Sequence, residues 1–354
     1  MVLKPLFLRL AKGLGLFALS RMLTRGQLRI LCYHGIWLGG EPHYGDCLFM
    51  SADRFRKRMA LLARCGYRVI PLRQACDDLA NRRVRTRDVV VTIDDGWVGT
   101  YLHMLPVLEQ HGYPASLYLT TRDVVDQEPV IYVLATFLAG RAIHPPDLRR
   151  LFPDQTLPHP STQQLSRAIA ARIRSQPTAE ARRAETLRIA DLLGIDLDNL
   201  EARRVFMLMK PGEVRDAHER GLDIQLHTHS HRMHGFNPDR LRQELERNRD
   251  VLGQMLGKAP AQLNHFCYPS GLYRPELFPV LASSGIQSAT TTEFGLNPPG
   301  TSPYALKRIL DSESLSDIEF EARLSGFWSL MSALRSRLGQ IVRTVGSLKR
   351  DTIA

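Results

Sequence analysis

The stretch that most constrains this chain is Val89-Val90-Val91-Thr92-Ile93-Asp94-Asp95-Gly96-Trp97, where a β-branched apolar run stops at two adjacent carboxylates and a glycine. A strand with no polar alternation is buried on both faces, which is the habit of parallel sheets. The C-terminal end of such a strand is where chemistry sits. Burying neighbouring carboxylates is costly unless a cation or hydrogen-bond donors meet them. A divalent ion on one Asp, with the other left as a general base, is the simplest reason for the pair.

A second stretch strengthens that reading. Leu222-Asp223-Ile224-Gln225-Leu226-His227-Thr228-His229-Ser230-His231 is a short apolar strand ending in three imidazoles at alternate positions, after a helix-like segment closed by Gly221. Neutral imidazole is the commonest nitrogen ligand for zinc and similar ions. One carboxylate with two His leaves open positions for water, as catalytic rather than structural metals require.

Around these stretches, strand-like runs alternate with helix-length segments. Leu28 to His34 predicts a first strand, followed by a helix over 55–65 and a strand at Tyr67-Arg68-Val69-Ile70. After the Asp-Asp strand come a helix over 101–111 and a strand at 116–119. Later strands are expected at 223–226, in 265–271, where a strand runs into a turn, and at 286–290 and 306–310, about eight in all. This is a parallel α/β architecture. Between 124 and 208 the rhythm is lost. Pro-rich sequence at Pro145-Pro146 and Pro158–Pro160 leads into Arg/Ala-rich helical sequence, clearest over 177–193 and stopped by Gly194. A segment this long cannot be a bare loop and predicts a helical insertion beside the site.

The ends are basic and amphipathic. Residues 1–27 read as an apolar and basic helical extension, 28–315 as the main α/β unit, and 316–354 as a helical tail. In the tail Phe327, Leu330, Leu334, Leu338, Ile341, Val345 and Leu348 form one stripe, flanked by Arg335, Arg343 and Arg350. The uncharged core at 13–20 is too short to span a bilayer, which needs roughly 20 residues, and Arg21 replaces the small residues of a signal cleavage site. The net charge of +11 admits an anionic glycan, an acidic membrane surface or nucleic acid. With only 7% aromatics and no nucleic-acid motif, nucleic acid is not expected. Five cysteines without CxxC spacing suggest neither a disulfide framework nor a thiolate zinc site, and favour a reducing compartment. The expected location is cytoplasmic, peripheral on the inner membrane face.

The two motifs resemble those of a known family. Thr92-Ile93-Asp94-Asp95-Gly96 is similar to the first motif, and His227-Thr228-His229-Ser230-His231 to the His-(Ser/Thr)-x-x-His motif, of the polysaccharide deacetylases. This is the NodB-homology group, carbohydrate esterase family 4. The resemblance implies a distorted (β/α) barrel, here with a helical insertion and helical extensions at both ends. It also implies a divalent ion and hydrolysis of an N-acetyl group, with Asp95, His227 and His231 as metal ligands and Asp94 as the base. Zinc suits one carboxylate and two His best, while cobalt, nickel and manganese fit the same set. Phe266-Cys267-Tyr268-Pro269-Ser270-Gly271 is similar to the third motif, which makes the Ser270 amide the oxyanion donor. Cys267 stands where many members carry an Arg that steadies the base, and Arg308 is the candidate substitute. The family's late Leu-x-His is missing. The Tyr33-His34 strand end resembles the branch typical of exopolysaccharide enzymes, where this His serves as the acid. An N-acetylated glycan or lipid-linked saccharide is the implied substrate. A hydrolase of small cyclic amides or ureides and a non-catalytic saccharide-binding barrel are the alternatives.

Overall fold

The structure is a computed structural model and describes residues 3–41, 43–141 and 161–334. The main sheet has eight parallel strands: β1 (Arg29–Tyr33), β2 (Arg68–Val69), β3 (Asp88–Asp95), β4 (Ala115–Leu119), β5 (Asp223–Leu226), β6 (His265–Cys267), β7 (Ser288–Phe294) and β8 (Leu306–Leu310). Seven close into a ring in the order β1-β8-β7-β6-β5-β4-β3, with β3 returning to β1. The expectation that all eight share the barrel is corrected. β1 pairs directly with β3 from Arg29↔Val89 to Tyr33↔Ile93, and the two-residue β2 reaches only the start of β3, at Asp88 and Val89. The expected strand at 286–290 begins two residues later and continues to Phe294.

The ring is closed because its residues have nowhere else to go. All eight residues of β3 are buried, as are all five of β1 and of β4. Each fully buried Val, Ile or Leu contributes about 1.5–3 kcal/mol against exposure. Outside, the helix Ala52–Arg64 turns Phe55, Met59 and Leu62 inward, and its Ser51 cap accepts from the Arg54 amide at 3.2 Å. The helix after β3 opens with a π-type turn at Thr100–Met104 and stops at Gly112, whose φ of 61° is left-handed. Register then sets the site, since Asp95 lies opposite Leu119, and Leu119 opposite Leu226, so two acidic residues and the start of the His run finish at one level.

Between β4 and β5 the chain builds helices at Arg122–Asp126, Ile131–Arg141, Thr162–Arg174, Ala179–Leu192 and Leu197–Ala202. Leu165, Ile169 and Ile173 join Leu134, Phe137 and Leu138 in the main core. The helix expected from 177 starts at Ala179, where Thr178 caps it through the Ala181 amide at 3.1 Å. The expected Pro-rich loop at Pro145-Pro146 and Pro158–Pro160 lies outside the described residues.

The N-terminal segment forms two helices, Leu3–Gly13 and Leu16–Leu23. One face of each docks: Leu8, Ala11 and Phe17 cluster with Ala322 and Phe327, and Lys12 meets Glu321 at 2.6 Å. The other face leaves Leu6, Phe7, Leu10, Leu14, Leu19, Met22 and Leu23 exposed. Of the tail stripe, Phe327 is buried and Leu334 exposed. Leu338, Ile341, Val345 and Leu348, with Arg335, Arg343 and Arg350, lie outside the described residues. No helix among the described residues is long and apolar enough to cross a membrane.

Candidate active site

The two carboxylates at the end of β3 have different partners. Asp94 receives both terminal nitrogens of Arg308, Nη1 to Oδ1 and Nη2 to Oδ2, each at 2.7 Å. Arg308 is fully buried on β8, and its Nε donates to the Thr291 carbonyl at 2.7 Å. Cys267 lies 3.5 Å from Asp94 Oδ2 and 3.2 Å from Arg308 Nη2, so a small side chain on β6 leaves room for the guanidinium arriving from β8. Burial acts to raise the Asp94 pKa, and the Arg308 charge and hydrogen bonds override it, bringing it down to about 2. His34, just beyond β1, places Nε2 at 3.7 Å from Asp94 Oδ2. Its Nδ1 is buried with no hydrogen-bond partner among the described residues.

Asp95 turns the other way because its φ is 72°. Successive strand residues point to opposite faces, and the left-handed backbone at Asp95 redirects its carboxylate. Gly96 must follow. Its φ is 98°, and a Cβ there would stand 2.0 Å from a Leu119 methyl. Asp95 Oδ1 faces His227 Nε2 at 3.2 Å and His231 Nε2 at 3.3 Å, while Oδ2 accepts from the Trp97 indole at 2.9 Å. Burial pulls Asp95 up, and the two imidazoles override it and hold it well below the usual carboxylate range.

His227 is fixed from both sides. Its Nδ1 is 2.8 Å from the Cys267 carbonyl, which only accepts, so Nδ1 carries the proton and Nε2 is directed at Asp95. Its backbone amide donates to Asn248 at 2.9 Å, and Asn248 in turn donates to Thr121 and the Leu119 carbonyl. His229, which occupies an x position of the His-(Ser/Thr)-x-x-His pattern, turns to Thr121 at 2.9 Å. Ser270 lines a cavity of about 630 Å³ together with Asp95, Trp97 and His231.

The ligand atoms of Asp95, His227 and His231 lie within 4.8 Å of one another. A carboxylate and two imidazoles, one of them with its tautomer set by a carbonyl, are a donor set that suits a divalent ion. Two other groups, Cys32-His34-Asp94 and Asp94-His227-Cys267, are equally compact. Both depend on Asp94, whose two oxygens already accept from a guanidinium that would repel a second cation. Burial also pushes the Cys32 thiol well up, against thiolate ligation. The donor chemistry therefore fits an ion on Asp95, His227 and His231.

Every residue singled out from sequence stands at this one end of the barrel, with Ser270 on the cavity wall. Trp97, Asn248 and Cys32 were not singled out. Asn248 had a readable signal, because it interrupts the apolar stripe of Leu241, Leu245 and Leu252 on the helix Pro238–Leu256 and is fully buried there.

The sequence profile of the family Polysaccharide deacetylase matches residues 81–289, more than half of the chain. The protein belongs to this family. No curated protein is significantly similar in sequence. Among solved structures, the chain is similar to a Streptococcus pyogenes deacetylase, PplD, in complex with acetate, at 15% identity and a TM-score of 0.56, covering 85% of this chain and 99% of that one. IcaB from Ammonifex degensii is similar at 17% identity and a TM-score of 0.52, with 84% and 97% covered. A de-N-acetylase from Aggregatibacter actinomycetemcomitans is similar at 15% identity and a TM-score of 0.51, with 84% and 99% covered. At such identities the likeness establishes the fold, a NodB-type distorted barrel. Family membership makes the protein a polysaccharide deacetylase, a hydrolase acting on an amide C–N bond.

Proposed function

We propose that this deacetylase removes N-acetyl groups from an amino-sugar-containing polysaccharide or lipid-linked saccharide in surface or exopolysaccharide biosynthesis. It would use one divalent ion, zinc before cobalt, nickel or manganese, held by Asp95, His227 and His231. The observation that carries the reading is the meeting of Asp95 Oδ1 with two imidazole Nε2 atoms, beside an Asp94 locked by Arg308. When bound, the ion acidifies the attacking water and draws charge from the acetamide carbonyl.

The chain's own residues do the rest. Asp94, kept ionised by Arg308, accepts a proton from the water as its oxygen bonds to the carbonyl carbon. The Ser270 amide donates to the developing oxyanion. His34 gives a proton to the sugar nitrogen as the C–N bond breaks, leaving acetate and a free amine. Arg308 is a positioning residue, holding the Asp94 carboxylate in one orientation. The acetate bound in the Streptococcus structure is the expected product here. A cavity of about 630 Å³ suits saccharide units better than a small cyclic ureide. Metal analysis of the purified chain, with acetate release from a panel of N-acetylated glycans, tests the reading. A metal-free protein, or one that cleaves only cyclic ureides, would refute it.

We also infer a cytoplasmic enzyme resting on the inner membrane face. The five cysteines are unpaired. The first two helices leave an apolar face exposed, Arg9 and Arg25 are exposed in the same segment, and residues 3–27 contain no acidic residue. Such a face buries apolar side chains among lipids while its cations meet anionic headgroups. Sedimentation with phosphatidylglycerol vesicles tests this, and a Leu10→Glu, Leu19→Glu double variant should no longer sediment. Equal sedimentation of both proteins would remove the assignment.

A further inference from the structure

Four arginines line the catalytic cavity, Arg122, Arg174, Arg182 and Arg232, and their ion pairs divide them. Arg182 is held by Glu128, with Nη2 to Oε1 at 2.5 Å and Nε to Oε2 at 3.0 Å. Arg122 meets Asp123 at 2.9 Å through Nε, and its terminal nitrogens have no carboxylate partner among the described residues. Arg174 and Arg232 have no carboxylate partner among the described residues, although Asp126 lines the same cavity.

Three separate segments bring these cations together. Arg122 follows β4, Arg174 ends an insertion helix, and Arg232 directly follows His231. Desolvation and the nearby charges of Arg232 and Arg122 lower the pKa of Arg174. Asp123 partly offsets Arg174 and Asp126 lines the same cavity, yet the Arg174 and Arg232 guanidiniums, which no carboxylate pairs among the described residues, still offer an anion an attractive field. Arginine forks bind carboxylate or phosphate. The two non-bridging oxygens of a phosphodiester accept from several directions about a tetrahedral phosphorus, so forks arriving from separate segments can share them, whereas the lone pairs of a carboxylate lie in one plane and favour a single fork.

We propose that Arg174 and Arg232, assisted by Arg122, form a phosphate subsite at the mouth of the catalytic cavity. The preferred substrate is then an N-acetylated saccharide with a phosphodiester beside the reacting sugar. This rests on the deacetylase reading and narrows its substrate class. The phosphodiester could link the sugar to a lipid or to the next unit of a polymer. A neighbouring apolar cavity of about 260 Å³, lined by Leu134, Ile173, Leu200 and Phe206, shares Glu128, Pro129, Ile131 and Arg182 with the catalytic one and offers room for an alkyl chain.

The test uses the full chain loaded with zinc and three probes: diacetylchitobiose, N-acetylglucosamine on a decyl phosphodiester, and a phosphodiester-linked N-acetylhexosamine oligomer. The expected result is a KM at least about tenfold lower for a phosphodiester probe than for the neutral one, the worth of one charged hydrogen bond. In an Arg174→Gln, Arg232→Gln double variant that advantage should vanish, with kcat on diacetylchitobiose unchanged. Preference for the decyl probe, lost in Leu200→Trp, identifies a lipid-linked substrate, and preference for the oligomer identifies a polymer. Equal KM on all probes, or equal loss on all of them in the double variant, overturns the subsite while leaving deacetylation standing. If no probe releases acetate, the deacetylase reading is in question. Calorimetric titration with the decyl probe then decides the subsite, which is overturned if wild type and double variant bind alike.

Discussion

Two buried arginine–aspartate pairs stand three residues apart on and just beyond β8, and they behave oppositely. Arg308 directs both terminal nitrogens at Asp94, and that carboxylate falls to about 2 against the pull of burial. Arg58 reaches Asp311 only through Nε, at 2.8 Å, and divides its other donors between Asp317 and the Leu315 carbonyl. There burial prevails and Asp311 is raised above its ordinary value, although Arg58 opposes it. Proximity of a guanidinium is therefore not enough to bring a buried carboxylate below its ordinary pKa. The second oxygen of Asp311 accepts from the neutral Ser312 amide, at 2.9 Å, whereas at Asp94 the cation itself meets both oxygens and the imidazoles of His34 and His227 add to it.

The largest expected effect concerns the residues beside the first pair. A His227→Ala, His231→Ala double variant should lose its bound ion and fall to background activity, while both arginine–aspartate pairs and the fold persist. Stoichiometric metal remaining in that variant would remove the ligand assignment. Next, Asp94→Asn should lower turnover by about 10²–10⁴ while metal content stays. Loss of metal instead would exchange the roles of Asp94 and Asp95.

Stability then separates the pairs. Arg308→Met and Arg58→Met should each cost about 3–5 kcal/mol in denaturant unfolding, because each strands a buried carboxylate. Only Arg308→Met should shift the acid limb of kcat/KM upward, since Asp94 loses what holds it ionised. Where that variant fails to fold, Arg308→Lys keeps the charge without the fork and should show the same shift more weakly. A shift of equal size in Arg58→Met would dissolve the comparison.

The smallest effect is a matter of sign. The folded pKa of Asp94, about 2, is below its ordinary value of 3.8. Its contribution is present above about pH 4 and is lost as pH falls through 2. Asp311 has a raised folded pKa, so its contribution is present below 3.8 and is lost as pH rises through the folded value. Urea unfolding between pH 5 and pH 2, roughly the range of carboxylate titration, should show a flatter acid decline in Asp94→Asn and a steeper one in Asp311→Asn. The reverse order would mean the charge states are misassigned.

The barrel was legible wherever burial imposes a period on the sequence. The Val89–Ile93 run and Gly112 each left local traces, and both elements stand where expected. Strand number in the ring was not legible. Whether β2 enters the ring or meets only the start of β3 depends on register and length across the sheet, which no local pattern records. In the site, the ligand and base candidates were visible because their types are costly to bury without a purpose. Trp97 and Cys32 were not, because an indole donor and a small thiol pass for ordinary core residues.

The site also contains a constraint on anyone who would rebuild it. Asp95, Thr228, His231 and Ser270 all have positive φ, between 56° and 72°, and none is glycine. Such conformations persist only where the surroundings enforce them. Transplanting these side chains onto an idealised barrel, whose strand ends carry ordinary backbone angles, would reproduce the residues and misdirect their vectors. Part of this active site is written in the path of the main chain, and a graft that copies only side chains leaves that part behind.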